Sequence, residues 1–472
     1  MPEIVFNPST SPGINPTESG GRLINAYAEK ANDGARSTIL IRRAPGLYPA
    51  FQAGAGTYRG AVEVNGQLYI ANEAAVYLVT KDAVTGVYTV TAQSGTLPGT
   101  GPVFMAANMA GTPDILILHS DGMSQISSST VSDFSDPDLP SGNSLSFLDG
   151  YFFVTTLNGY SFASGINATT FASTDETRAE AYADGLLRAV ASGLDQLLMG
   201  TTSIEVWSNT GNATGYPFSR STVKKIGLWG PYAVAGYEDG FTGNVMFVAS
   251  DNTVREMVGY EPQVISKPDL EALIAAETDR TAIEASVYVH RGRAVFVLSS
   301  PTWTWEYCNG EWNERQSIGK TRWRAHGGIS AFDEWLVFDT VTNDVYRIDP
   351  TYKRENTDQL VWEARSTQAH RFPGRVYVER ADFDMMTGVG IANGIDPIET
   401  DPTVQISWSI DGGRTFGNPL FRALGPQGRK VPITVRPRQT TKELGIQFRL
   451  VVADPVDVVL FGGADEIAQL AA

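Results

Sequence analysis

Cysteine is all but missing from this chain: Cys308 is the only one among 472 residues, so no disulfide can close within it. That excludes a disulfide-stapled secreted scaffold and fits assembly in a reducing compartment. The plain reading of Cys308, between Tyr307 and Asn309, is a small buried apolar residue. Long apolar runs are missing too. No stretch approaches the ~18 uninterrupted apolar residues of a membrane span, so no membrane insertion is expected. The start, Met1-Pro2-Glu3-Ile4-Val5-Phe6, has neither the basic region nor the apolar core of a signal peptide. Basic charge is scarce: 36 Lys and Arg stand against 52 Asp and Glu, a formal charge of −16. Such a chain grips DNA phosphates poorly, because that binding draws on clustered Lys and Arg, and DNA passing it is expected to slide without specific binding.

The residues of catalysis are thin on the ground. The four histidines, His119, His290, His326 and His370, are scattered, with no HExxH or i,i+4 pair to hold a metal. No Gly-x-Ser-x-Gly elbow appears, and no glycine-rich loop ends in Gly-Lys-Ser/Thr. Neither a catalytic residue nor a metal or cofactor is expected.

What the chain does have is a repeat. A turn, a short apolar run, a polar break and a second apolar run recur at a spacing of about 40–50 residues, the period of four-stranded propeller blades. The copies include Val64-Asn65-Gly66-Gln67-Leu68-Tyr69-Ile70, Asp114 to Leu118 and Leu148-Asp149-Gly150-Tyr151-Phe152-Phe153-Val154. They continue with Leu194 to Met199, Asn244 to Val248, Arg291 to Leu298 and Phe332 to Phe338. Asn-Gly or Asp-Gly beside β-branched and aromatic residues marks a hairpin. With 42% apolar and 19% charged residues and 47 dispersed glycines, the chain reads as all-β: a β-propeller of about seven blades followed by a smaller β-sandwich-like domain.

The expected division is an amino-terminal extension over 1–20, the propeller over 21–374 and the sandwich-like domain over 375–472. Ring closure is expected from Thr38-Ile39-Leu40-Ile41 with Leu360-Val361-Trp362, and helices over Ser266 to Glu284 and Asp175 to Ala183. After Pro373-Gly374 five alternating segments suggest the second domain, with Gly388 to Pro402 as a loop.

Two local features point to binding. Between Thr403 and Leu450 eight basic residues face two acidic ones, a net +6 that leaves −22 for the rest. Arg429, Lys430, Arg436 and Arg438 lie in this stretch, either as a solvated face or as a docking surface for an acidic neighbour. The stretch Ser409-Ile410-Asp411-Gly412-Gly413-Arg414-Thr415-Phe416 resembles the Asp-box of sialidases, in which the Asp and Ser side chains lock a hairpin turn. It occurs once and outside the repeats. A sialidase-like glycosidase or a carbohydrate-binding propeller is therefore the alternative reading. Trp303, Trp305, Trp312, Trp323 and Trp335 would then be sugar platforms instead of blade packing.

Four further stretches stand out in order along the chain. They are Gly21-Arg22-Leu23-Ile24-Asn25-Ala26-Tyr27 with Arg43-Ala44-Pro45-Gly46-Leu47, and Ser203-Ile204-Glu205-Val206-Trp207-Ser208-Asn209-Thr210-Gly211 with Tyr216-Pro217-Phe218-Ser219-Arg220. Then come Thr304-Trp305-Glu306-Tyr307 with Gly310-Glu311-Trp312-Asn313-Glu314-Arg315, and the Ser409-to-Phe416 turn with Leu444-Gly445 and Phe448-Arg449. Together these stretches resemble one family, the packaged-DNA stabilisation (tail hub or nozzle) proteins of short-tailed bacteriophages, the podoviruses; Asn313 departs from that family's pattern, which leads one to expect histidine there. The resemblance implies a structural protein of the virion tail, not an enzyme, assembled in the host cytoplasm as a hexameric ring below the portal and its adaptor. The ring would help retain packaged DNA, guide its ejection through the lumen, and carry a tail needle or plug with spikes or fibres. Glu205, Trp207, Pro217, Phe218, Trp305 and Trp312 are expected in blade packing or blade-to-blade contacts, and Asp411 and Gly413 in the locked turn.

Overall fold

Asn65 and Gly66 both take positive φ, 53° and 75°, and Asp149 and Gly150 repeat the pair at 52° and 90°. That is the backbone a two-residue hairpin turn needs to match the twist of its strands. Joined by such turns, the repeats of the computed structural model fold into four-stranded antiparallel meanders. The structure describes residues 3–469 apart from 213, 371–373 and 442–443. Pro373, at the expected domain boundary, and Lys442, of the basic stretch, thus lie outside the described residues.

Blades 1 to 5 are separate four-stranded sheets over 58–92, 104–134, 144–178, 186–224 and 234–264. Blade 6 spans 284–314, and blade 7 is built on the three strands Ala325–Ala331, Glu334–Asp339 and Asp344–Asp349. Its fourth strand comes from the beginning of the chain: Gly46–Gln52 pairs antiparallel with Asp344–Asp349. The closing strand is thus one segment later than expected, and the reason is burial. Leu47 completes the core beneath blade 7 with Tyr346 and Ile348, whereas Ile41, Trp362 and Ala364 are claimed by the second core.

That second core lies between two sheets. One contains Ala26–Lys30, Ile39–Arg43, Val459–Gln469, Val376–Met385 and Ile433–Val435, with Glu3–Ile4 and Gln439–Thr440 at its margins. The other contains Arg22–Ile24, Trp362–Arg365, Gln447–Val452, Thr403–Ser409 and Leu420–Ala423. Residues 22–43, assigned from sequence to the propeller, therefore belong to the two sheets of the second core, where Ile39–Arg43 pairs directly with the carboxyl-terminal strand Val459–Gln469. The second sheet is continuous with blade 6, because Arg22–Ile24 bridges in parallel to Glu311–Glu314 at Ile24 and Glu314. Nine strands run outward from the innermost strand of blade 6 to Leu420–Ala423.

The helix is shorter than expected, Pro268–Ala276. Lys267 occupies the capping position, and the Ser266 hydroxyl instead donates to Glu271 at 2.7 Å. Just past its end, Asp279 accepts from the Thr281 backbone and hydroxyl, a local turn that competes with further helix. Leu270 and Ile274 seat the helix on Trp305 and Trp312. The segment expected as a second helix from Asp175 begins as strand: Phe171–Arg178 is the outer strand of blade 3, paired with Tyr160–Ser164. Strand pairing overrides a weak helical preference there.

Candidate functional site at the ring-closing seam

Two of the signature stretches, Gly21 to Leu47 and Thr304 to Arg315, meet where the propeller closes against the sandwich. Arg22 donates to Glu314 at 2.6 Å, and the Thr10 hydroxyl reaches the same carboxylate at 3.1 Å. Asn25, at a positive φ of 51°, donates to the carbonyls of Gln316 and Val361, both at 2.8 Å, and accepts from the Gln316 backbone. Arg43 is buried and sends its guanidinium to the carbonyls of Val452, Asp454 and Val456. Arg315 is fully buried: it donates to the Pro45 carbonyl at 2.6 Å, lies 3.6 Å from Glu306 and 3.8 Å from Glu355, and stacks over Trp323. Burial raises the pKa of both carboxyls, and the guanidinium between them pulls the other way. Asn313 is buried beside this network and donates to Glu306 at 3.3 Å. First and last parts of the chain are thereby locked by charge-assisted bonds inside the molecule.

Glu205, Trp207, Pro217 and Phe218 lie together on blade 4. The Trp207 indole N–H donates to Glu205 at 3.0 Å, and the other oxygen of Glu205 accepts from the Ala181 backbone at 2.9 Å. The Pro217 carbonyl accepts from Thr210. Phe218 meets Phe153 of blade 3 edge-on at 5.1 Å, and both share a core with Trp207 and Tyr216. Trp305 and Trp312 are buried between blade 6 and the helix, with the Trp312 N–H donating to the Ile265 carbonyl at 2.6 Å.

The Asp411 turn forms as the motif suggests. Ser409 donates to Asp411 at 2.7 Å and accepts from the Gly413 backbone at 2.9 Å, while Asp411 accepts from Arg414, Thr415 and the Thr415 hydroxyl. Burial works to raise its pKa, but the Thr415 and Ser409 bonds outweigh it and hold the carboxyl at about 2. The turn thus holds a hairpin and leaves Asp411 committed to its own backbone. Arg429, Lys430, Arg436 and Arg438 are all exposed, and among the described residues only Arg438 of the four is held in an ion pair, 3.1 Å from Glu379.

The tryptophans proposed as sugar platforms are not on the surface. Trp303, Trp305, Trp312 and Trp323 are buried, and Trp335 is half-buried against Phe241. Among the described residues no group of three or more His, Cys, Asp or Glu is placed to hold a metal ion. Nor, among them, is any helix long and apolar enough to cross a membrane. A cleft of about 360 Å³ lies beside the seam, but the Lys353 and Arg354 cations on its wall are engaged by Asp457 and Glu399.

One cluster carries no motif and was missed in the sequence: the propeller axis. Phe104 of blade 2 and Tyr232, which precedes the inner strand of blade 5, meet across the ring at 5.8 Å. Arg188 of blade 4 lies 3.9 Å above the Phe104 ring and donates to the Tyr237 hydroxyl. Tyr58 of blade 1 stacks on Phe338 at 3.8 Å and abuts His326, itself paired with Glu284 at 3.2 Å. Side chains from blades far apart in sequence thus fill the middle of the propeller.

Residues 22–353 match the model of a phage stabilisation family described as bacteriophage P22 Gp10, beta-propeller. The chain belongs to that family. It is a phage DNA-stabilisation β-propeller protein, and the family is structural, not enzymatic. No curated protein matches the chain. Among solved structures, BBS1N in complex with ARL6DN aligns at 11% identity and a TM-score of 0.41, over 65% of this chain and 97% of that one. YCF48 bound to D1 peptide aligns at 11% identity and 0.39, over 65% and 97%. PorZ, a type-IX secretion system component of Porphyromonas gingivalis, aligns at 10% and 0.38, over 70% and 44%.

Proposed function

We propose that this phage stabilisation protein is the ring-forming hub, or nozzle, of a short tail. Several copies, six by the family resemblance, stand below the portal and its adaptor and frame the path of the DNA. They retain the packaged genome, guide its ejection, and carry the needle or plug and the spikes or fibres. Membership in the stabilisation family is the observation that carries this reading. The filled axis supports it, because DNA then runs beside the propellers in a lumen framed by several copies. The formal charge of −16 supports a wall past which DNA slides without being held.

The test is the mass of the purified protein, alone and mixed with the portal–adaptor complex. A ring-sized assembly in either condition is the expected result. A chain that stays monomeric in both and is retained on a glycan column would overturn the reading.

A further inference from the structure

Charge in this chain is segregated along a line through the molecule. Between Lys81 and Arg188 stand eleven acidic residues and a single basic one, Arg178. That stretch contains blades 2 and 3 entirely. The +6 stretch lies at the other extreme. Leu420–Ala423 is the last strand of the nine-stranded sheet, five strand positions beyond the outer strand of blade 6, or about 24 Å at the usual spacing. In a ring of seven, the position opposite blade 6 falls between blades 2 and 3. The acidic sector and the basic tip therefore face in opposite directions.

Both ends present outer sheet strands and exposed apolar side chains, although Ser94 bridges the start of the outer strand of blade 2 at Thr130. At the tip, Phe421 is 58% exposed on the edge strand, with Arg429, Lys430 and Arg436 exposed on neighbouring loops. In the acidic sector, Thr130–Phe134 and Phe171–Arg178 are the outer edges of blades 2 and 3 and carry exposed Asp133 and Glu176. Met109 and Ile166 stand exposed at turns of the same blades. Opposite charges meeting across an apolar contact set register and partner choice more than raw affinity. Two different complementary surfaces on one chain make a head-to-tail contact, which closes into a ring when the rotation allows.

We infer that the basic tip of one copy seats on the acidic edges of blades 2 and 3 of the next copy. This rests on the ring reading and names the surfaces that would build it. The occupant of each surface is a second copy of this chain, because each surface supplies the charge the other lacks.

The test uses two full-length variants. One carries Arg429→Glu, Lys430→Glu and Arg436→Glu; the other carries Asp133→Lys, Glu176→Lys and Glu180→Lys, Glu180 being exposed two residues past the outer strand of blade 3. Sedimentation is followed in free solution and on the portal–adaptor complex. The wild type should associate, and raising the salt from about 0.05 M to about 0.5 M should weaken it at least about tenfold. Each variant alone should fail to associate under the same conditions. An equal mixture should recover association, since each variant then supplies the surface its partner needs; recovery also shows that both are folded. Rings that form unchanged from either variant alone would overturn this pairing and leave the ring reading standing. A wild type that never associates, in solution or on the complex, would overturn both.

Discussion

Trp207 is gripped at its indole nitrogen by Glu205 and across its ring by Tyr216, with 7% of its surface exposed. Its removal opens a cavity between blades 3 and 4 and leaves the Glu205 carboxylate short of a donor. Trp207→Ala should therefore cost roughly 3–5 kcal/mol, read as a lowered midpoint in denaturant at unchanged slope. An unchanged midpoint would show that the site is slack. Residues of this kind were legible in the sequence because a Trp beside alternating apolar residues in a repeat is a packing residue under most folds. Arg43 and Arg315 were not legible as buried. Nothing local distinguishes them from surface arginines: their carbonyl partners, Val452 for Arg43 and Pro45 for Arg315, come from hundreds of residues away, and Glu306 and Glu355 belong to other strands.

Among elements, the strand Gly46–Gln52 has the most demanding fit. A Cβ on Gly46 would lie 2.2 Å from the Tyr352 carbonyl oxygen and 2.6 Å from that of Arg354, both backbone atoms that cannot swing aside. Gly46→Ala should push the closing strand off blade 7 at a cost of about 1–3 kcal/mol. Hydrogen exchange should then quicken in Asp344–Asp349 while the strands of blade 3 keep their protection; uniform protection in both would refute the assignment. The seven repeats were readable from their turns, since period and turn chemistry are local. The closing strand was misplaced because Ile39–Arg43 and Gly46–Gln52 carry similar strand signals. Which of them joins blade 7 is decided by tertiary burial of Leu47 and Ile41. The helix from Asp175 failed for a related reason, a free edge at Tyr160–Ser164 that a fourth strand satisfies.

For the whole molecule, the axis is where the blades constrain one another, and it holds titratable groups. Burial pushes the Glu238 carboxyl up to about 7, against the Gly236 amide and the Arg188 charge that favour its ionised form. Tyr58, Tyr237 and Glu284 share this centre. A carboxyl raised in the folded state binds its proton more tightly there than in the unfolded chain. Its contribution is full below about 4.5 and is lost as the pH rises through about 7. Wild type should therefore lose more thermal stability between about pH 5 and pH 8 than Glu238→Gln, in parallel melting curves. Equal losses would show that Glu238 is not held in this state. No sequence pattern announces the axis, because Phe104 of blade 2, Arg188 of blade 4, and Tyr232 and Glu238 beside the inner strand of blade 5 meet only once the ring is closed.

Ring closure by the leading strand also sets a clock on synthesis. Gln52 leaves the ribosome 292 residues before Asp344, the residue it lies beside in blade 7. At about 5–20 residues per second that is a wait of roughly 15–60 s. Blades 1 to 5 complete their own sheets during this interval, each from contiguous chain. The strands Arg22–Ile24 and Gly46–Gln52 lack their antiparallel partners until 362–365 and 344–349 emerge. The nascent protein thus passes through a long stage as an open arc with its first strands unspent, and the edge most exposed to mispairing is the one made first.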